Sequence, residues 1–239
     1  PLGEYFIEDI KKFDITGFFT RSQKHTTQVL CLITPDGQRT MRFCEGTSNE
    51  IFDQFLHIDY FKEIKLAHFD SYNLFNGHLL ENAMNLAKKA NAKISLDLSS
   101  FEIVHKFKET LNRLLKQYVN ILFANQDEVK ALTGLEPVEG CLKLQETCSI
   151  SVVLMGNQGC LVGHQGEVFH SPTLPAHVVD TTGAGDLFAS GFLYGYLQDY
   201  PLTRCAQIGN CLGKAIVEIQ GAELPPERLK KMKNSTTYR

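Results

Sequence analysis

Several signatures are missing from this chain, and each absence removes a class of protein. No two cysteines are spaced C-x-x-C, and the seven present (Cys31, Cys44, Cys141, Cys148, Cys160, Cys205 and Cys211) are odd in number. Neither a disulfide framework nor a zinc ribbon is encoded. The histidines form no H-x-x-x-H and no H-x-E pattern, so no structural metal is expected and the thiols suit a reducing, cytoplasmic compartment. No apolar run approaches the roughly 18 residues of a membrane span. The opening PLGEYFIEDIKKFDI has no basic start, no apolar stretch and no cleavage site, and so does not read as a signal peptide. Net charge is −3 at pH 7, which gives no global footprint for nucleic acid or an anionic membrane.

What remains is an ordinary globular composition: 239 residues, 43% hydrophobic and 21% charged. That suits one α/β domain, long enough to bury a core without staples. Helical spacing marks 4–12, and two β-rich runs, 27–33 and 39–43, flank a Pro-Asp-Gly turn that predicts a hairpin. From residue 64 strands alternate with helices: strand 64–69, helix 76–90, strand 94–98, helix 102–117, strand 120–124 and a short helix capped by Gly134. Strand 150–155 leads to a hairpin turning at Gln165-Gly166. A short strand 177–180 then feeds helix 183–198, a last helix spans 203–220 up to Gly221, and the basic residues from Arg228 onward read as a solvated tail. Cys205 and Cys211 fall on that last helix and read as small core hydrophobes. Apolar strands alternating with amphipathic helices predict a mostly parallel sheet covered on both faces.

The chemistry concentrates in HVVDTTGAGDLFASGFLYGYL, residues 177–197. An apolar strand ending at Asp180 runs through Thr181, Thr182, Gly183, Ala184 and Gly185 into a helix with Asp186 in its first turn. Small residues there leave backbone N–H groups uncovered at the positive end of a helix dipole, which makes an anion site. A carboxylate beside a bound phosphate is repelled unless it takes a proton from an attacking hydroxyl. That combination points to phosphoryl transfer, with Asp186 as base and the amides of Gly183, Ala184 and Gly185 holding the developing charge. A tight strand–helix turn whose Asp merely complements the dipole would carry some of the same residues.

This segment resembles the second signature of the ribokinase/PfkB family of sugar and nucleoside kinases, where the aspartate after the glycines is the catalytic base. No Walker A pattern occurs in the chain. Asn125-Gln126-Asp127-Glu128 resembles the family's N-x-x-E motif, in which Glu128 would organise Mg²⁺ and its waters, although a helix N-terminus explains the same residues. Met155-Gly156-Asn157-Gln158-Gly159 resembles its G-x-x-G turn along the nucleotide, and Asn210 with Gly221-Ala222 resembles the helix and loop flanking the adenine. The resemblance also implies that Asp180 and Thr182, with backbone around 217–222, can hold a monovalent cation such as K⁺.

From the same resemblance follow the fold and the activity. The fold is expected to be a ribokinase-like three-layer α/β/α sandwich: one domain over 1–239, with a mostly parallel central sheet and a small β lid that includes residues 27–43. Arg39 or Arg42 on that hairpin would reach a phosphate or simply be solvated. Tyr72, Asn73 and Asn76 would line the acceptor pocket or cap a helix. The expected reaction moves the γ-phosphate of ATP, with Mg²⁺, to a primary hydroxyl of a sugar or nucleoside, leaning towards the adenosine-kinase-like branch. A lid edge can pair two subunits, so a homodimer is compatible with the family. The resemblance begins late: family members carry a further N-terminal part with a glycine-glycine acceptor motif, and no G-G-x-x-x-N is found here. A kinase-derived binding or scaffold protein without turnover is the competing reading.

Overall fold

The computed structural model describes residues 2–35, 37, 39–50 and 53–234. Its centre is a six-stranded sheet of β3 (Leu66–Asp70), β4 (Lys93–Asp97), β5 (Ile121–Asn125), β6 (Ile150–Leu154), β7 (Cys160–His164) and β8 (Glu167–Ser171), neighbouring one another in chain order. The first four run parallel, β7 pairs antiparallel with β6, and β8 pairs antiparallel with β7. Helices α2 (Leu79–Lys89), α3 (Phe101–Tyr118), α4 (Gln126–Thr133) and α5 (Pro137–Leu144) connect the parallel strands. A second helical layer follows, α6 (Ala184–Leu197) and α7 (Leu202–Val217), which pack on each other.

Strand periodicity divides the core between the two layers. On β5, Leu122 and Ala124 join the cluster containing Ala87 of α2 and Leu111 of α3. Ile121 and Phe123 join Phe188 and Phe192 of α6 and Cys205 of α7 instead. The ring of Phe123 meets that of Phe192 edge-on, centroids 5.5 Å apart. This is the expected three-layer α/β/α arrangement. The small antiparallel sheet stands beside it as β1 (Gln28–Ile33) and β2 (Arg39–Cys44), with Ile33 paired to Arg39. Ahead of it lies α1 (Leu2–Lys11). Among the described residues no helix is long and apolar enough to cross a membrane.

Several boundaries shift for physical reasons. The run 177–180 is not a strand. The Val179 and Asp180 N–H groups both donate to Val217 O, over 2.7 and 3.3 Å, so they serve the end of a helix rather than a ladder. The last long helix stops at Val217, not 220, because Gly221 turns away at φ +87° and its N–H goes to Asp180. Part of the supposed basic tail is ordered as α8 (Pro226–Asn234): Leu229 and Met232 pack beneath α7 and Arg228 pairs with Glu218. A one-turn 3₁₀ segment, Ser71–Phe75, precedes α2 and delays its start to Leu79. Helix α5 adds to the expected elements, and Pro137 at its first position is a start signal.

Candidate active site

The corner at residues 180–186 is built around one buried carboxylate. Asp180 is 1% exposed. Its Oδ1 accepts the Thr182 N–H and its Oδ2 the Gly221 N–H, both over 2.8 Å. The loop before α6 and the loop after α7 are thereby drawn together. Gly183 then takes the left-handed region at φ +77°, and a Cβ there would stand 3.0 Å from that of Ala222. Only glycine makes this turn without strain or crowding.

Beyond Gly183 helix α6 begins, with Asp186 exposed in its first turn. The Ala184 N–H reaches back to Thr181 O over 3.3 Å, while no backbone acceptor among the described residues takes the N–H of Gly183, Gly185 or Asp186. A Cβ on Gly185 would meet only Leu154 Cδ1, at 3.7 Å. The start of α6 therefore lies beside the end of β6, where the 155–159 turn begins. That turn is closed by the Met155 N–H on Gly159 O at 2.8 Å. Gly159, at φ +94°, is forced by close approach, since a Cβ would fall 2.2 Å from Ser171 O; around Gly156 the space is open.

At the end of β5, Asn125 and Glu128 form a reciprocal capping box on α4. The Asn125 N–H and Nδ2 donate to the two Glu128 carboxylate oxygens, each over 2.8 Å, and the Glu128 N–H returns to Asn125 Oδ1 at 2.9 Å. Burial pushes the Glu128 carboxyl up to about 7; the Asn125 backbone bond opposes this and the Asp97 charge adds to it. Asp97, at the end of β4, is itself pushed up to about 6, first by burial and further by the charges of Asp186 and Asp70, against a bond from the Ser99 N–H. Asp97 thus lies within electrostatic reach of both Asp186 and Glu128, at the strand ends that open α/β sheets use for ligands. Sequence reasoning misses it; its one signal is an aspartate closing an apolar strand.

Among the described residues no group of three or more His, Cys, Asp or Glu side chains could hold a metal ion. The described side chains build no closed cage. A buried carboxylate raised by burial and like charge suits a hard cation that keeps most of its waters, which is the Mg²⁺ habit.

Other expected site residues are already engaged within the protein. The Asn210 amide donates to Ser171 O (2.9 Å) and Ser171 Oγ (3.2 Å), fastening α7 to the end of β8. Asn73 Nδ2 donates to Asp70 Oδ2 over 3.2 Å and Asn76 Nδ2 to Ser48 O over 3.1 Å, whereas Tyr72 is exposed. Arg42 is exposed and bonded to Met41 O at 3.3 Å. The Arg39 side chain lies outside the described residues.

Fold and site define an α/β protein with a glycine-rich corner at the start of α6 and carboxylates gathered at the strand ends. The family model for pfkB family carbohydrate kinases matches residues 1–228, and the chain belongs to that family. It is 24% identical over 224 residues to an uncharacterized sugar kinase of Archaeoglobus fulgidus, covering 92% of this chain and 88% of that one. Among solved structures, a probable sugar kinase protein from Rhizobium etli superposes with a TM-score of 0.92 at 26% identity, covering 99% of this chain and 74% of that chain. Adenosine kinase from Sinorhizobium meliloti superposes at 0.91, also with 26% identity, covering 98% and 74%.

Proposed function

We propose that the protein transfers the γ-phosphate of ATP to a primary hydroxyl of a sugar or nucleoside, with Asp186 as general base. The observation that carries this reading is the Asp180 clamp: by fixing Thr182 and Gly221 it presents the N-terminus of α6 with Asp186 exposed in its first turn. Asp186 takes the proton as the acceptor oxygen attacks. The N–H groups of Gly183 and Gly185 receive the charge that builds on the transferring phosphate, and that of Ala184 joins them by exchanging its long bond to Thr181 O for the anion. Mg²⁺, when bound, neutralises charge on the phosphates. Glu128, oriented by Asn125, holds its waters, and the 155–159 turn, Gly221 and the Asn210 region flank the nucleotide. A monovalent cation such as K⁺ would sit beside Asp180 and Thr182, and replacing K⁺ by a bulky organic cation tests that part alone. The likeness to an adenosine kinase supports a nucleoside acceptor and the sugar-kinase relatives a sugar.

The test is ADP release with Mg²⁺-ATP and K⁺ across adenosine, inosine, ribose and fructose, alongside the Asp186→Asn variant. Turnover with one acceptor, lost in the variant, establishes the kinase and its substrate together. ATP binding with no acceptor phosphorylated would instead make this a kinase-derived binding protein.

A further inference from the structure

Cys31 and Gly37 fasten the small sheet to the loop before α6. On β1, the Cys31 thiol lies 3.5 Å from the Thr182 hydroxyl. In the turn before β2, the Gly37 carbonyl accepts both the N–H and the hydroxyl of Thr181, over 3.3 and 3.2 Å. Gly37 is buried at φ +78°, where a Cβ would come within 2.8 Å of a Val178 methyl. Gly37 therefore seats its backbone directly against 178–181. Thr181 and Thr182 are the residues that lead into Gly183, and the Thr182 N–H is also held by Asp180 Oδ1. The loop ahead of α6 is thus held by both the buried carboxylate and the small sheet.

The geometry points to Gly37 and Thr181 as a latch through which the small sheet sets the position of the amides of Gly183 and Gly185. Both are positioning residues for phosphoryl transfer, an inference that rests on the kinase reading above. A displaced Thr181 carries its neighbours with it, because the segment up to Gly183 is short and its other anchor is fixed. Misplacing charge-stabilising groups by about an ångström costs rate out of proportion to binding.

Gly37→Val, Thr181→Val and Thr181→Ser, made in the full chain, test the latch by two readouts. The first is the split between kcat and KM for ATP. The second is the rate of Cys31 alkylation by iodoacetamide, resolved by peptide mass spectrometry, with exposed Cys44 as the reference thiol. Gly37→Val is expected to lower kcat by roughly 10–100-fold with KM for ATP changed by less than about threefold, and to speed Cys31 labelling several-fold relative to Cys44. Thr181→Val should follow in the same direction and Thr181→Ser should restore both readouts. Wild-type kcat and labelling in the two valine variants would overturn the latch, as would a Thr181→Ser variant no better than Thr181→Val. Should Gly37→Val fail to fold, the threonine pair decides. The alkylation arm needs no turnover, so it judges the latch even if the chain phosphorylates no acceptor and the kinase reading falls.

Discussion

Asp180 and Gly221 stand 41 positions apart in the chain, yet the Gly221 N–H donates to Asp180 Oδ2 over 2.8 Å. The second carboxylate oxygen takes the Thr182 N–H, so one buried side chain satisfies two loops. Asp180→Ala strands both amides and is expected to lower stability by about 2–4 kcal/mol. Urea unfolding reads this as a fall in midpoint; an unmoved midpoint would mean that the loops hold their shape unaided.

Asp186 makes a sharper distinction, because it is exposed and its loss should spare the fold. Asp186→Asn is expected to reduce kcat by roughly 10²–10⁴ with little change in ATP affinity. More than half of the wild-type turnover would remove Asp186 from the chemistry. Gly185→Leu should cost a comparable factor by filling the anion site, whereas Gly185→Ala should fold normally, its methyl meeting only Leu154 at 3.7 Å.

Glu128 should leave a mark on the pH dependence of stability. Its carboxyl is raised from 4.5 to about 7, chiefly by burial. Between those values the native state holds a proton that the unfolded state has released, so this group's contribution falls as pH rises through the window. The loss is on the order of 3 kcal/mol by pH 7. Glu128→Gln should flatten that slope in denaturant titrations run from pH 4.5 to 7; an unchanged slope assigns it to other groups.

Two glycines of one turn should differ in what they tolerate. Gly159→Ala would drive a methyl into Ser171 O at 2.2 Å in a left-handed backbone, whereas Gly156→Ala meets open space. The expected losses are about 3 kcal/mol or more for the first and about 1 kcal/mol for the second. Equal melting temperatures for the two variants would contradict the close approach of Ser171 to Gly159.

Much of this architecture is legible in the residues because local and tertiary preferences agree. Helix α3 spans 101–118 where periodicity marks 102–117, and Gly134 caps α4 at φ +77° as its position suggests. Gln165 and Gly166 both take positive φ, as a two-residue hairpin requires. Legibility ends where a distant partner decides. The run 177–180 has the look of a strand, but the N–H groups of Val179 and Asp180 are claimed by Val217 O. The residues after Val217 could continue a helix, but Asp180 draws Gly221 out of line. In the candidate site, the run of small residues and Asp186 are visible as pattern. Asp97 is not, since a single aspartate at a strand end acquires meaning only when Asp186 and Glu128 are placed near it.

The strand order of the large sheet has a kinetic corollary. Since β3 to β8 neighbour one another in chain order, each strand emerging from synthesis finds its partner already made, and the sheet can grow by addition without waiting for a distant segment to be inserted. The contacts of the small sheet with the loop before α6 reach further, Gly37 to Thr181 bridging 144 positions and Cys31 to Thr182 bridging 151. That closure must await residues 181 and 182, which follow β8, so the loop before α6 is pinned only after all six strands of the large sheet have been made.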